Sequence, residues 1–226
     1  MAAPKGGTRE RILNAAEQLF AQRGYDGAST RAIVAKSGDT IGSVNYHFGS
    51  KDKLLAEVIR RRWDEIVEAR RECYAAARRE YGGAPPVEAV VEAIVAPYLE
   101  RAMCGGRGWR SYALLQARVL YSEKSYTRNL KALSEPIARE FIGWLAESLP
   151  GADMRDLGYA YQFMIGAMVE SCAEIEVNRI SRITDGLCDA ADYGQVKARL
   201  LAFISGGIRA TVAAGANLSV ESLKSA

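Results

Sequence analysis

Small and hydrogen-bonding residues are grouped between Gly42 and Tyr46. An asparagine such as Asn45 can bind adenine through two hydrogen bonds, and a hydroxyl such as that of Ser43 can contact a base edge or a phosphate. Gly42 allows close approach to a duplex. Residues of these types, spread over the outward faces of one short helix, are typical of a helix that lies in the major groove of DNA.

Further polar groups follow directly in the sequence. Tyr46, His47 and Lys51 are predicted to anchor the DNA backbone through its phosphates. Ser50 is predicted to cap a fourth helix. The free amides at the start of that helix carry partial positive charge and would face the same phosphates.

The chain before this segment is predicted to form two helices. Thr8 can cap the first, and Gly24 can end it in a left-handed conformation. Ser29 or Thr30 can cap the second. The residues expected to face inward recur at helical spacing, and they are Ile12, Ala15, Ala16, Leu19, Phe20, Ile33, Val34 and Ser37.

A sharp turn is predicted between the second helix and the third. Gly38 permits the change of direction, and Thr40 can cap a third helix from about Ile41 to His47. Ile41 and Val44 lie three residues apart and are expected to pin this helix to its neighbours.

This arrangement resembles the DNA-binding domain of the TetR family of transcriptional regulators over about residues 8 to 60. The matching run reads Thr30-Arg31-Ala32-Ile33, then Ser37-Gly38, then GSVNYHFGSK from Gly42 to Lys51, and Leu54. The resemblance implies an all-α protein with an N-terminal three-helix helix-turn-helix domain. The residues expected to contact DNA are Thr30, Arg31, Thr40, Gly42, Ser43, Asn45, Tyr46, His47 and Lys51.

Two positions depart from the family pattern. Asp39 stands where a small apolar residue is usual, and Asn45 stands where tyrosine is commonest. An acidic group in the turn can repel a phosphate or cap the third helix. The DNA sequence that the protein binds therefore cannot be transferred by analogy.

Positive charge is concentrated near the N-terminus. Residues 1–63 hold 11 Lys and Arg against 6 Asp and Glu, a net charge of +5, and the other 163 residues hold 19 against 21, a net of −2. Such a field steers association with DNA. The run Arg60-Arg61-Arg62 is interpreted either as a solvated helix surface or as a phosphate contact.

Composition argues against catalysis, metal binding and export. His47 is the only histidine, and the glycines at 105, 106 and 108 match no phosphate-binding motif, so no enzyme, cofactor or metal site is expected. No apolar stretch is long enough to cross a bilayer, and the N-terminus lacks an export signal, which predicts a cytoplasmic protein. The four cysteines are expected to be buried thiols, with a redox or metal role as the alternative.

The remainder is predicted to be a helical body, for about nine helices in total. The fourth helix is expected to continue to about Tyr81 as a connector, and Pro97 to kink or break the fifth. Later helices are expected over about 87–103, 109–121, 126–149, 153–177 and 193–214. The predicted domains are 8–54 for DNA binding and 55–215 for ligand binding and dimerisation, with flexible tails at 1–7 and 216–226.

The last two long helices are apolar on more than one side, so each must bury more than one side. In TetR-like proteins these helices pair with those of a second subunit. Dimer contacts are expected at Tyr159, Phe163, Gly166, Ala167, Phe203, Gly206, Gly207 and Ala210. A two-fold dimer would suit a palindromic DNA site.

The family also implies a ligand pocket inside each body. The candidates are aromatic or flexible side chains, and they are Met103, Trp109, Tyr112, Gln116, Phe141, Trp144, Met164 and Met168. Ordinary core packing is the alternative for each of them. Since the sequence shows little distinctive buried charge, a neutral or acyl-type hydrophobic effector is favoured.

Together these features predict a homodimeric repressor that binds double-stranded operator DNA and is released by a small hydrophobic effector, with no membrane association. One alternative is a ligand-independent architectural or activating DNA-binding protein. Another is a helical enzyme that processes a small molecule.

Overall fold

The computed structural model describes residues 7–120 and 128–224, and this part of the chain is helical without strands. The ten helices are α1 (Thr8–Gly27), α2 (Thr30–Ser37), α3 (Ile41–Phe48), α4 (Lys51–Glu80), α5 (Val87–Cys104), α6 (Arg107–Leu120), α7 (Arg128–Ser148), α8 (Met154–Val177), α9 (Arg179–Ile183) and α10 (Tyr193–Lys224). None of these helices is long and apolar enough to cross a membrane.

Hydroxyl side chains set the starts of three consecutive helices. Ser29, Thr40 and Ser50 each accept a hydrogen bond from the amide three residues later, at 3.1, 3.2 and 3.2 Å. Ser29 rather than Thr30 is therefore the cap of α2. Gly38 ends α2 in the left-handed conformation at φ 75°, which a side chain would strain. These signals confirm the predicted helix-turn-helix boundaries.

The predictions for the ends of α1 need correction. Gly7 is the N-cap and Thr8 lies inside the helix, where its hydroxyl accepts a hydrogen bond from Arg11 at 3.0 Å. Gly24 has a positive φ of 69° but kinks the helix instead of ending it, since helical structure resumes up to Gly27.

Helix α4 joins the N-terminal unit to the body. Its 30 residues span about 45 Å at the α-helical rise. One continuous hydrophobic core extends from Ile12 in α1 to Ile208 in α10, and α4 contributes Leu55, Ile66 and Tyr74 to it. The body is thus in continuous packing contact with the N-terminal unit.

The body agrees with the predicted helices with three differences. Helix α5 is continuous through Pro97. The five-residue α9 was not predicted, and α10 continues past the expected end at 214 to Lys224. The expected start of α7 at Tyr126 lies outside the described residues, as do residues 1–6 of the N-terminal tail. Three of the four cysteines, Cys73, Cys104 and Cys188, are exposed, so the expectation of buried thiols holds only for Cys172.

Candidate nucleic-acid interface

Helix α3 presents its polar residues to solvent. Val44 and Phe48 are buried at 1% and 5% exposure, and they fasten the helix to the core. Gly42, Asn45, Tyr46 and His47 are exposed, and Ser43 is partly exposed. Ile41 is 43% exposed, so it does not pin the helix as predicted. An eight-residue helix held along one side leaves the opposite side free to enter a groove.

Residues flanking α3 extend the same exposed surface. Tyr46 is 86% exposed, and its ring meets that of His47 edge to face with centroids 5.0 Å apart. Arg31 and Thr40 are exposed and Thr30 is partly exposed. The structure thus leaves the predicted DNA-contacting side chains of this segment accessible, while their contacts with DNA stay a prediction.

Asp39, which departs from the family pattern, forms an ion pair with a residue of α1. Arg11 Nη2 lies 2.6 Å from Asp39 Oδ1, and the Asp39 side chain is only 6% exposed. Thr40 supplies the cap of α3. Asp39 therefore neither caps α3 nor presents its full charge to a phosphate, because the ion pair with Arg11 neutralises it and ties the turn to α1.

Lys51 lies beside an aromatic residue. Its Nζ is 4.1 Å from the ring centroid of Tyr25, and the Tyr25 hydroxyl donates a hydrogen bond to Asp52. Burial lowers the pKa of Lys51, while the nearby charges of Asp26 and Asp52 oppose that shift. Cation–π contact holds the ammonium group at the start of α4, next to the end of α3.

Two of the three arginines of the run in α4 bind a carboxylate inside the protein instead of forming a solvated surface, while a phosphate contact of this run stays a prediction. Arg61 Nη2 and Arg62 Nε both donate to Glu17 Oε2 at 2.7 Å, and Arg62 Nη2 donates to Glu17 Oε1 at 2.9 Å. Glu17 is 2% exposed. Only Arg60 matches the solvated interpretation, with 63% side-chain exposure and Asp64 at 3.7 Å. Two arginines of α4 thus hold a buried carboxylate of α1.

Helix α6 completes this junction. The guanidinium carbon of Arg62 lies 4.5 Å from the ring centroid of Trp109. A Cβ at Gly108 would overlap Arg62 Nη2, so a side chain there would displace the guanidinium from its present position. We call Glu17, Arg61, Arg62, Gly108 and Trp109 the junction cluster. It joins α1 of the N-terminal unit to α6 of the body through α4.

The predicted ligand residues lie in the core of the body. Six of the eight are buried, and Trp109 and Gln116 are partly exposed. Phe141 contacts Trp144 with ring centroids 4.6 Å apart, and Gln116 donates a hydrogen bond to the Tyr112 hydroxyl. Cavities of about 430 and 410 Å³ lie among α8, α9 and α10 and among α1, α2 and α6, and none of the eight residues lines either of these two.

Sequence reasoning missed a buried cation beside these residues. Arg70 in α4 is 3% exposed. Its guanidinium carbon lies 5.4 Å from the ring centroid of Phe141, and its Nη2 is 3.4 Å from the sulfur of Met168. A signal was available, because Ile66, Arg70 and Tyr74 are spaced by four along one helix face. The inference that little charge is buried was therefore wrong.

The predicted dimer residues lie on α8 and α10. Tyr159, Phe163 and Phe203 are large side chains that are 52, 60 and 71% exposed. Tyr159 and Phe163 stack with centroids 6.1 Å apart. A Cβ at Gly166, Gly206 or Gly207 would meet no atom within 4 Å. Ala167 is partly exposed and Ala210 is exposed. These helices thus carry exposed aromatic rings beside small residues that another helix can approach closely.

Comparison with known proteins locates the chain among regulators. Residues 12–58 match the sequence model of "Bacterial regulatory proteins, tetR family", and residues 92–207 match "Tetracyclin repressor-like, C-terminal domain". The HTH-type transcriptional repressor AcnR of Corynebacterium efficiens is 38% identical over 53 residues, which are 24% of this chain and 28% of that protein. The chain spans between 28 and 41% of the length of the curated relatives that it matches.

Solved structures share the fold over most of the chain. The fatty acid degradation regulator FadR from Bacillus halodurans has a TM-score of 0.60 and 18% identity, with 88% of this chain and 98% of that one covered. FadR from Bacillus subtilis in complex with stearoyl-CoA has a TM-score of 0.60 and 16% identity, with 90 and 97% covered. At these identities the likeness establishes the all-α fold.

The C-terminal match spans just over half of the 226 residues, and the N-terminal match covers the helix-turn-helix. Members of this family are DNA-binding transcription factors rather than enzymes. The chain belongs to the TetR family of bacterial transcriptional regulators.

Proposed function

We propose that the protein is a homodimeric repressor that binds a palindromic operator and is released from it by a small effector bound in the body. The observation that carries this proposal is α4, which begins at the DNA-facing surface and continues without interruption to Arg70 and Tyr74 in the core of the body. Residues 8–54 are assigned to DNA binding, and residues 55–215 to ligand binding and dimerisation.

The exposed surface of α8 and α10 supports the dimer. A two-fold axis would pair Tyr159, Phe163 and Phe203 with their copies and would bury rings that are now more than half exposed. It would also place two copies of α3 one helical turn of DNA apart, which a palindromic operator requires.

The junction cluster supports coupling between the body and the N-terminal unit. Because Arg62 contacts Glu17 and Trp109 at once, a shift of α4 or α6 is transmitted to α1. An effector can release DNA only if it binds the DNA-incompetent arrangement more tightly, and a coupling free energy of about 1–3 kcal/mol is typical.

Sedimentation and DNase footprinting test the dimer and the operator together. On DNA from upstream of its own gene, we expect a two-fold symmetric footprint from a dimer of the intact chain. Phe203→Glu is expected to give a monomer and to weaken operator binding at least tenfold. Tyr81→Glu is the matched control, since Tyr81 is 53% exposed at the end of α4 and away from the proposed interface. A monomeric wild type would contradict the proposal.

Effector release is tested on the same footprint. Stearoyl-CoA, the ligand of the B. subtilis FadR structure, is the first compound to add. Other acyl thioesters and free acids follow. The repressor mechanism predicts that at least one bound compound lowers operator affinity by fivefold or more. If every compound that binds leaves operator affinity unchanged, the release mechanism is wrong.

A further inference from the structure

Arg70 is a buried cation whose charge no described side chain balances. Its side chain is enclosed by α5, α7 and α8, and it is 3% exposed. Among residues 7–120 and 128–224, no described carboxylate lies within ion-pair distance of it, in contrast to Arg61, Arg62 and Arg71 of the same helix. Removing a cation from water without an anion costs several kcal/mol.

One of the Arg70 contacts is to the backbone of α5. Arg70 Nε donates to the carbonyl of Ile94 at 2.6 Å. This bond satisfies one edge of the guanidinium. It leaves the positive charge without a negative partner among the described side chains.

The second contact uses a poor acceptor. Arg70 Nη2 points at the sulfur of Met168 at 3.4 Å. A thioether sulfur is a weak hydrogen-bond acceptor, and methionine is an unbranched, flexible side chain that can adopt other conformations. The position of this sulfur is therefore where a stronger acceptor would be accommodated.

Tyr98 provides an independent observation beside Arg70. Its side chain is 4% exposed, and its hydroxyl has no hydrogen-bond partner in the described part of the chain. The ring centroid of Tyr98 lies 5.8 Å from the guanidinium carbon of Arg70. A buried hydroxyl without a partner loses the hydrogen bonds that it made to water. Within the part of the chain that the structure describes, the Arg70 charge thus has no anion and the Tyr98 hydroxyl has no acceptor.

Other hydroxyl groups surround the guanidinium. Burial lowers the pKa of Arg70, and electrostatic interaction with Tyr161, Tyr98, Tyr112 and Cys172 opposes this shift. Burial also raises the pKa of Tyr98, which keeps its hydroxyl protonated and able to donate. The Tyr98 hydroxyl, whose ring lies beside Arg70, can therefore donate a hydrogen bond to an anion.

We propose that Arg70 and the Tyr98 hydroxyl form the anchor for the carboxylate of an effector, whose apolar part packs among Phe141, Trp144 and Met168. This inference rests on the proposed function, since it names the chemical class of the effector. One guanidinium matches a monoanion, whereas a phosphate dianion would leave a second charge buried and unpaired. Displacement of the Met168 sulfur by a carboxylate oxygen would give Arg70 a charge-assisted bond.

Matched pairs of compounds test the anchor with the full-length protein. The probes are sodium octanoate with octanamide and sodium phenylacetate with phenylacetamide, because each pair differs only in the acid group. Calorimetric titration is expected to show at least one carboxylate binding tenfold or more tightly than its amide. Equal affinity within each pair, or no binding of either carboxylate, would overturn the proposal.

Variants assign the effect to the two residues. Arg70→Met is expected to abolish the preference for the carboxylate over the amide, and Arg70→Lys to keep part of it. Tyr98→Phe removes one oxygen, which bonds no described group, and is expected to weaken carboxylate binding three- to tenfold. If Arg70→Met does not fold, the compound pairs and Tyr98→Phe still decide. An unchanged preference in Tyr98→Phe and Arg70→Lys alike would refute the anchor.

The DNase footprint on operator DNA distinguishes a failure of the carboxylate anchor from a failure of the release mechanism. Carboxylate binding that depends on Arg70 but leaves operator affinity unchanged would refute ligand release and support the anchor. Release of DNA by a neutral compound alone, with no carboxylate bound, would refute the anchor and support ligand release.

Discussion

Replacing Arg62 with methionine is expected to reduce the free energy of unfolding by about 2–4 kcal/mol. The variant loses two charge-assisted bonds to Glu17, at 2.7 and 2.9 Å, and the contact with the Trp109 ring at 4.5 Å. Net values of about 1.5–3 kcal/mol for a bond to a charged group and about 0.5–2 for a cation–π contact would add up to more than this. The expected loss is smaller because both bonds come from one guanidinium and Arg61 still binds Glu17. Methionine keeps much of the apolar stem of the side chain.

Arg61 limits the loss. It still donates to Glu17 at 2.7 Å, so the buried carboxylate keeps one cation. Replacing Arg61 and Arg62 together removes both, and an uncompensated buried charge then costs about 3–5 kcal/mol or more. Glu17→Gln combined with Arg62→Met should be less harmful than the sum of the two single changes, with a coupling of about 1–3 kcal/mol.

Arg60→Met is the matched control for this experiment. It removes the same type of residue from the same helix, but Arg60 is 63% exposed and its partner Asp64 is 3.7 Å away. Such pairs contribute at most about 0.5 kcal/mol. Urea unfolding is to be followed by circular dichroism at a single protomer concentration, because the proposed dimerisation would make stability concentration-dependent. The reasoning fails if Arg62→Met and Arg60→Met differ by less than about 0.5 kcal/mol.

Three further predictions concern DNA binding and thiol chemistry. Lys51→Ala should weaken binding to all DNA sequences similarly and flatten the salt dependence by about one unit, and an unchanged slope in anisotropy titrations would exclude a phosphate contact. Asn45→Ala should cost about 1–3 kcal/mol at one base pair if it contacts a base edge, whereas a uniform loss over all sequences would make it a positioning residue. Burial raises the pKa of Cys172 from 9.0 to about 12, so its thiolate fraction at pH 8 is about a thousandfold below that of an ordinary thiol. Mass spectrometry should find Cys104 and Cys188 alkylated long before it, and comparable rates would contradict this order.

Local signals explain what could be predicted from the sequence. The caps at Thr40 and Ser50 and the left-handed Gly38 are determined within four residues, so the helix-turn-helix boundaries were correct. The prediction of Thr8 as a cap was wrong because the N-cap is the last residue with an extended backbone before the helix, and that residue is Gly7. Ile41 failed as an anchor because at the first position of α3 it faces outward.

Long-range partners explain what could not be predicted. Asp39 and Arg11 are 28 residues apart, and Glu17 and Arg62 are 45 apart. No periodicity connects such pairs, so two arginines of α4 were interpreted without their buried acceptor. Arg70 could have been placed in the core from its spacing. That no described carboxylate lies beside Arg70 depends on the packing of α5, α7 and α8 around it.

The junction cluster also bears on how regulators of this family can be recombined. A chimera that joins residues 1–54 of this chain to the body of another family member would carry Glu17 without Arg61, Arg62 and Gly108. The carboxylate of Glu17 is 2% exposed in this chain. In the chimera it would be buried against side chains of the new body that are not matched to it. A domain exchange therefore cannot simply be made at the end of α3, because the junction cluster combines matched positions from α1, α4 and α6. Engineered sensors built on this chain need to transfer those positions together.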